Sequence, residues 1–548
     1  MNSIDCIQKT FTTHVKKLFN INIAVDVCRL HINVDEAKQA FGNLSTSVAL
    51  VLAKELKQTP RDIAMEIIKS FAHPLVEKVE IAGPGFINIY LTPKAFIYLA
   101  LELHEQKNYF FKPDTLEKKY NYSLEFVSAN PTGPLHFGHG RGGIIGDVLG
   151  NVLRFIGHNV TKEFYINDAG NQIQKLGESF KIRCLQVIGI EASISEDGYH
   201  GEYLLELARD CFAEYGKELF EKPDIFFAEY AKENLLAALK NTLKEYGIEY
   251  DVWFSEKTLH KDGLIQQALD LLQNRGFLFE KDNALWLRTT QFGDDKDRVV
   301  RKSTGEYTYI AADIAYLKNK VDRGFDNLIL VLGHDHHSYV VRLNAVKEAL
   351  GYSCPLVGIL YQLVKISEGG ALVRMSKRAG AIVSLQDIIN TVGKDVARFF
   401  YLHRKADAQL EFNLDLALKR TEENPVYYVQ YAYVRMGSIL EKAKKNINLA
   451  DINANDAHYI GKEEAFLLKK IIFLEQLLCD IAINHQTHLL TYYVVELSQL
   501  FHRYYSHVRV IDVENSEKSR GRLLLVSILR DTIALVLDLL GISHPEKM

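Results

Sequence analysis

Apolar residues recur three and four positions apart over 4 to 19 and 45 to 71, predicting helices, and then give way to VEKVEIAGPGFINIYL (76 to 91), where two short β segments flank a Gly-Pro-Gly turn. A small α+β unit is predicted there, followed by a polar linker, FKPDTLEKK (111 to 119). From about residue 120 the pattern becomes strand then helix: NYSLEFV, a Gly/Pro-rich turn, IIGDVLGNVLRFIGH with apolar positions at helical spacing, and a second strand in NVTKEFYI. Strands that return after helices imply parallel crossovers. The fold class is therefore α/β, a Rossmann-like doubly wound parallel sheet whose ligands sit beyond the carboxyl ends of its strands. Helical stretches such as DIFFAEYAKENLLAALKNTLKEYG interrupt the alternation over about 185 to 300, as an insertion between the two halves of the sheet, before FDNLILVLGHDHH (325 to 337) resumes it. CPLVGILYQLVKI reads as one further apolar strand, with a helix beginning near Ser384. Beyond about residue 390 strand signals vanish and amphipathic helices run almost to the end. The expected division is an N-terminal α+β domain over 1–115, a Rossmann-like domain over 116–400 and an all-α domain over 401–548.

A chain of 548 residues is too long for one core, which agrees with that division. With 47% hydrophobic and 24% charged residues it is neither disordered nor fibrous. The net charge of −4 advertises no polyanionic partner, so any nucleic-acid site must be local. The six cysteines are scattered with no C-x-x-C pair, which argues against a zinc ribbon and for a reducing compartment. MNSIDCIQKTFTTHVKKLF has no continuous apolar stretch of the signal-peptide kind, and no apolar run approaches the roughly 20 residues that span a bilayer. A cytoplasmic protein is expected, with no membrane partner.

SANPTGPLHFGHGRGG (128 to 143) lies between the first strand and its helix, where a parallel fold offers helix N-terminal amides to phosphates. Its glycines allow close backbone approach, and His136 and His139 place two imidazoles beside the helix start, able to donate to phosphate oxygens as charge builds there. A bare H-x-G-H in a tight connection also arises by chance; its strand-to-helix context supports the functional reading. His136, Phe137, Gly138 and His139 resemble the HIGH signature of class I aminoacyl-tRNA synthetases, and EFVSANPTGPLHFGHGRGGIIGD is similar to the arginyl enzymes of that class. The resemblance implies that His136, Gly138 and His139 contact ATP and that the two imidazoles are catalytic.

VRMSKRAG (373 to 380) is a cationic loop at a strand end, and Arg374, Lys377 and Arg378 could neutralise a leaving pyrophosphate. A solvated basic turn would look the same in isolation. The loop resembles the KMSKS signature of the class through Met375, Ser376 and Lys377, with Lys377 as the lysine used on ATP phosphates. Arg374 and Arg378 depart from that pattern while keeping or adding positive charge. Two such signatures in order, about 240 residues apart on strand ends, are more specific than either alone.

A pocket for a guanidinium needs carboxylates, because a buried unpaired cation is prohibitively costly. Glu125 and Asn130 flank the first turn, while Tyr309 and Asp313 stand four apart, on one face of a helix. The resemblance implies that Glu125, Asp313 and Tyr309 hold the guanidinium of arginine and Asn130 its α-amino end. GHDHHSY (333 to 339) could be a metal centre by composition, but no second cluster with zinc spacing accompanies it. The family reading puts it beside arginine and adenosine, with Asp335, His336 and His337 as contacts. YINDAGNQIQKLGES, FGDDKDRVVRKS and ENPVYYVQYAYVR extend the likeness.

RNA is often recognised by aromatic stacking with local Arg or Lys contacts, not by bulk charge. Tyr427, Tyr428, Tyr431 and Tyr433 on one helix, and FHRYYSHVRV (501 to 510) with Arg503 and Tyr505, are the candidates, although tyrosines at helical spacing are more often packing residues. The resemblance implies an anticodon-binding C-terminal bundle in which Tyr427, Tyr431, Arg503 and Tyr505 contact tRNA(Arg), and an N-terminal domain that touches the tRNA corner. It further implies ATP with Mg²⁺, L-arginine as substrate, no zinc, no DNA and a monomeric enzyme that needs tRNA before it activates arginine. A cysteinyl-type synthetase would normally display zinc ligands, a small nucleotidylyltransferase would lack the helical 390 to 548 region, and a silent tRNA-binding relative would not need His136, His139 and Lys377 together.

Overall fold

The computed structural model describes residues 2–113, 118–372, 383–444, 447, 460–512 and 514–548. Its centre is a five-stranded parallel sheet. The strands are β1 (Asn121–Phe126), β2 (Asn159–Ile166), β3 (Val252–Ser255), β4 (Asn327–Gly333) and β5 (Leu356–Tyr361), in the order β5-β4-β1-β2-β3. Chain order reverses between β1 and β4. That switch point is where a doubly wound sheet opens a crevice at the carboxyl ends of its strands.

The helix that follows β1, α1 (His139–Phe155), lies directly on the sheet. Its apolar residues Ile144, Ile145, Val148, Leu149, Val152 and Leu153 are all buried. The glycines on the same helix would each cost about 1 kcal/mol relative to alanine in an exposed helix. Here they permit contact: a Cβ at Gly146 would lie 2.3 Å from the Phe126 ring, and one at Gly142 2.6 Å from Tyr361.

After β2, helices α2 (Asn171–Val187) and α3 (Asp224–Glu245) pack on each other with Glu202–Tyr215 beside them, over a core of Leu176, Phe180, Cys184, Leu204 and Phe227. The chain then returns to the main sheet at β3, which pairs with β2 inside the stretch that helical periodicity assigns to the insertion. A four-residue strand is too short to show a period-2 pattern. A small antiparallel sheet (Leu278–Lys281, Ala284–Leu287, Arg298–Arg301) precedes α4 (Tyr309–Asp322), β4, α5 (His337–Ala349) and β5.

Two sequence expectations are corrected here. CPLVGILYQLVKI is two strands: β5 belongs to the main sheet, whereas Val364–Glu368 joins a separate three-stranded one. Strands also continue past residue 390, because Leu410–Asn413 pairs in parallel with Val364–Ser367. Between them lie Leu385–Val392, which begins beside Ser384 as expected and is capped by it, and α6 (Lys394–Leu402). The remainder is helical: Pro425–Ala443, Lys462–Asn484, Leu489–His507 and the last helix, α7 (Ser516–Leu540).

The N-terminal unit is an antiparallel sheet in the order 31–32, 44–46, 86–91, 76–82, covered by helices that include Ser3–Phe19 and Pro93–Gln106. The predicted hairpin over 76 to 91 is present, while 45 to 71 divides into a short strand and two helices, Val48–Leu56 and Pro60–Ser70. Lys57 in the left-handed region and Pro60 at the next helix start separate the two. The unit docks on the C-terminal bundle through Arg29–Asp480 (3.3 Å) and Arg503–Glu36 (2.9 Å). No helix among the described residues is long and apolar enough to cross a membrane.

Candidate functional site

The crevice at the β1/β4 switch point is built on a backbone outlier. Val127 and Ser128, the two residues after β1, have φ of +67° and +41°. A β-branched residue in that region is strained and persists only where its surroundings enforce it. Ser128 shows the enforcement: its Oγ donates to Glu125 Oε1 (3.1 Å) and accepts from the Tyr165 amide (3.1 Å), turning the chain across the ends of β1 and β2.

The chain then reaches the two imidazoles. The amide of Gly138 donates to His136 Nδ1 (3.1 Å) and the amide of His136 donates to His139 Nδ1 (3.0 Å). Both Nδ1 atoms therefore act as acceptors, which fixes each neutral ring as the Nε2–H tautomer. Burial lowers the pKa of both, with His139 held at about 4, so both are uncharged hydrogen-bond donors at neutral pH. The first amides of α1 are turned inward instead, onto the carbonyls of His136, Phe137 and Gly138 at 2.9 to 3.3 Å. The imidazoles, more than the helix-end amides expected from sequence, are the donors offered to an anion.

The turn is also paired with the chain leaving the cationic loop. Phe137 N donates to Val383 O (3.1 Å) and Leu385 N donates to Leu135 O (2.8 Å). Arg374, Met375, Ser376, Lys377 and Arg378 lie outside the described residues. Val383, three residues beyond that loop in the chain, is held against the backbone beside His136. Lys377 stands six residues before Val383, and six residues of extended chain span roughly 20 Å.

Across the crevice, three carboxylates converge. Asp313 on α4 accepts a hydrogen bond from the Tyr339 hydroxyl (2.9 Å), yet burial, with Glu125 and Glu256 nearby, raises its pKa to about 7. Burial likewise raises that of Glu256, which hydrogen-bonds with Tyr165. Glu125 is paired with Lys320, whose side chain is 3% exposed. Beneath them Glu163 takes both guanidinium nitrogens of Arg323 (2.8 and 2.9 Å) and the Tyr316 hydroxyl. Asp313 and Glu256, both raised and crowded together beside Glu125, mark a pocket whose repulsion a cation would relieve. Glu125 and Asp313 were expected; Glu256, Tyr165 and Tyr339 were not singled out. The sequence carried no signal for Glu256, because the four-residue strand it follows shows no period of its own.

The other expected residues stand further out. Tyr309 is 65% exposed at the start of α4, on the wall of a cleft of about 1490 Å³ that also reaches Asp168, Lys181, Glu229, Glu256 and Lys302. Asn130 is exposed on the turn after β1. Asp335 and His336 are exposed on the turn after β4, and His337 is exposed at the start of α5. Asp335 acts on Tyr361, which packs on Gly142, while His336 lies against Tyr339 of the acidic pocket with 6.1 Å between ring centroids. No group of three or more His, Cys, Asp or Glu side chains among the described residues could hold a metal ion.

In the helical domain, Tyr427 and Tyr431 stack (6.5 Å, 6° between planes), and Tyr431 stacks on His502 and receives a hydrogen bond from Arg435 (2.6 Å). Arg435 also lies over Tyr505 (4.7 Å), and both line a groove of about 750 Å³ with Lys442, His507 and Arg509. Tyr433 is buried, and Arg503 is engaged with Glu36 of the N-terminal unit.

Three family descriptions match successive parts of the chain: Arginyl tRNA synthetase N terminal domain over residues 5–91, tRNA synthetases class I (R), catalytic domain over 102–398, and DALR anticodon binding domain over 429–548. A relative from Oceanobacillus iheyensis named arginine--tRNA ligase is 41% identical over 517 residues, covering 93% of both chains. One of the same name from Bacillus subtilis is 41% identical, covering 92% of each. The solved Thermus thermophilus arginyl-tRNA synthetase superposes over 100% of both chains with a TM-score of 0.74 at 22% identity, a likeness of fold.

Proposed function

This chain belongs to the class I arginyl-tRNA synthetases and is an arginine--tRNA ligase that uses ATP, and from that premise we propose how its own residues carry the reaction. ATP enters with Mg²⁺ as its substrate form, its phosphates facing the Nε2–H groups of His136 and His139. The arginine guanidinium occupies the acidic pocket between Glu125 and Asp313, with Asn130 at the α-amino end and Tyr309 closing over it from the cleft wall. Asp335 and His336 contact the arginine where it meets the adenosine. The arginine carboxylate attacks the α-phosphorus in line, giving arginyl-adenylate and pyrophosphate. The imidazoles donate to the phosphate oxygens as charge grows, and Met375, Ser376 and Lys377 contact ATP, the Lys377 ammonium neutralising the departing pyrophosphate. In the second step a terminal ribose hydroxyl of tRNA(Arg), the 2′-OH by class membership, attacks the adenylate carbonyl and AMP leaves.

The observation that carries this reading is the pairing of two neutral, Nε2-protonated imidazoles with a cation-demanding acidic pocket at one switch point. Uncharged donors meet a phosphate without the charge of an imidazolium, and crowded carboxylates gain from a cation what they lose on desolvation. The groove beside Arg435 and Tyr505, with Tyr427 and Tyr431, receives the anticodon loop by stacking and local charge, a mode supported by the even charge of the whole chain. Arg503 would reach RNA by releasing Glu36. The enzyme works as a cytoplasmic monomer, without zinc, and activates arginine only with tRNA bound. Aminoacylation of total tRNA with each of the twenty amino acids in turn tests the proposal. Arginine alone should be charged, with no pyrophosphate exchange in the absence of tRNA; charging with another amino acid, or exchange without tRNA, would contradict it.

A further inference from the structure

Behind the imidazole turn lies a fully buried polar cluster in which the catalytic and C-terminal domains meet. Arg398 on α6 is 0% exposed. Its Nη2 pairs with Asp147 of α1, its Nη1 donates to Tyr246 O (2.9 Å) just after α3, and its Nε donates to Leu540 O (2.8 Å) at the end of α7. Asp147 also takes Lys162 Nζ from β2 (2.6 Å), and Asn151 of α1 donates to Leu539 O (3.0 Å). Two cations thus share one carboxylate, and the remaining acceptors are carbonyls. Those of Leu539 and Leu540 carry the negative end of the α7 dipole, so the cluster is electrostatically incomplete unless the last helix is seated.

The cluster is wired to the turn itself. Tyr401, one helical turn beyond Arg398, donates its hydroxyl to Phe137 O (2.7 Å), and Tyr246 donates to Gly140 O (3.2 Å). These carbonyls bracket His139. Helix α7 in turn packs against Pro425–Ala443 and Leu489–His507, the helices that line the groove at Arg435 and Tyr505.

We propose that Arg398 is a positioning residue through which the seating of the C-terminal helical domain sets the placement of His136 and His139. The inference rests on the proposed function and extends it, giving a physical route by which RNA docked on the bundle acts on the turn that meets ATP. A buried cation with fixed acceptors on three elements tolerates few geometries, so a shift of the Leu540 carbonyl is passed to Asp147 and Tyr401.

Gly541→Ala perturbs the cluster from the C-terminal side: its Cβ would lie 2.2 Å from Arg398 Nη2, at φ +65°. Tyr401→Phe perturbs it from the turn side by removing one oxygen. Arg398→Lys keeps the charge on Asp147 but cannot span Tyr246 O and Leu540 O together. Gly216→Ala, at φ +58° with nothing within 4 Å of its Cβ, matches the backbone strain alone. Each variant is assayed as the full chain with tRNA for arginine-dependent ATP–pyrophosphate exchange, normalised by active-site titration, alongside Tm. Tyr401→Phe should lower kcat about fivefold, the worth of one buried hydrogen bond, with the KM for arginine unchanged. Gly541→Ala and Arg398→Lys should lower it by more, and Gly216→Ala should leave it alone. Unchanged kcat per active site in Tyr401→Phe and Arg398→Lys, whatever happens to Tm, would overturn the inference. Wild-type chain that exchanges no pyrophosphate with arginine and tRNA would instead refute the proposed function and take this inference with it.

Discussion

Asp313 offers the most direct test of the acidic pocket. In the free protein, burial and the neighbouring Glu125 and Glu256 raise its pKa to about 7, from an ordinary value near 4. A guanidinium pairs with the ionised form, so arginine binding must draw Asp313 out of its protonated state. If only that form binds, the apparent Kd rises by a factor of 1 + 10^(7 − pH): about elevenfold at pH 6, about twofold at pH 7 and close to one at pH 8. Calorimetry of arginine binding across pH 6 to 8, in buffers of differing ionisation enthalpy, should show this loss on acidification together with proton release on binding. The same shift sets a stability signature of definite sign. The folded state holds its proton up to about pH 7 and the unfolded state only to about pH 4, so stability falls as pH rises through that window, by at most about 4 kcal/mol. Asp313→Asn keeps the hydrogen bond from Tyr339 and removes the charge. It should raise Tm at pH 8, match wild type near pH 4, and weaken arginine far more than ATP. An arginine affinity flat from pH 6 to 8, or equal losses for both ligands in the variant, would refute the reasoning.

His139→Ala removes one Nε2–H donor and should slow single-turnover adenylate formation by roughly 10²- to 10³-fold with little change in Tm; an unchanged rate would exclude a role in the transition state. Lys469, 3% exposed and met by the Gln39 amide and the Phe466 ring, is held by burial at about 8. Its unfolded state binds the proton up to about pH 10.5, so wild-type stability should rise between pH 8 and 10. Lys469→Met should flatten that rise and raise Tm at pH 7, by up to about 3 kcal/mol in urea titrations; a lower Tm would show the ammonium to be better compensated than its surroundings indicate.

The sheet and the imidazole turn were legible in the sequence because their signals are local. β1, α1, β2 and β4 each carry a full period of apolar positions, and HFGH falls in one strand-to-helix connection. What escaped depends on contacts distant in the chain. β3 has four residues, too few to show a pattern, and is a strand because β2 offers it an edge. Leu410–Asn413 is likewise a strand through pairing with Val364–Ser367. Glu125 and Asp313 could be named from spacing and likeness, but the raised pKa of Asp313 comes first from burial, which spacing does not encode, and then from Glu125 and Glu256, which lie more than fifty residues before it in the chain.

The same distinction separates the residues that touch substrates in this reading from those that hold them in place. Site residues can be read as motifs because each works through its own side chain within a short local string of the sequence. Arg398, Asp147, Lys162 and Tyr401 work only as a set, on α6, α1 and β2, and Arg398 shares the set with carbonyls at residues 246 and 540. In sequence, Arg398 is one cation in an amphipathic helix, indistinguishable from a solvated one. Its meaning arises when four other segments close around α6 and leave two cations, one carboxylate and the carbonyl end of the last helix. Because a buried carboxylate stripped of either cation would be strongly destabilised, the cluster ties the seating of the helical domain to the turn that carries His136 and His139. An enzyme that must sense RNA far from its reacting atoms needs a connection of this kind, one that cannot form until both domains are in place.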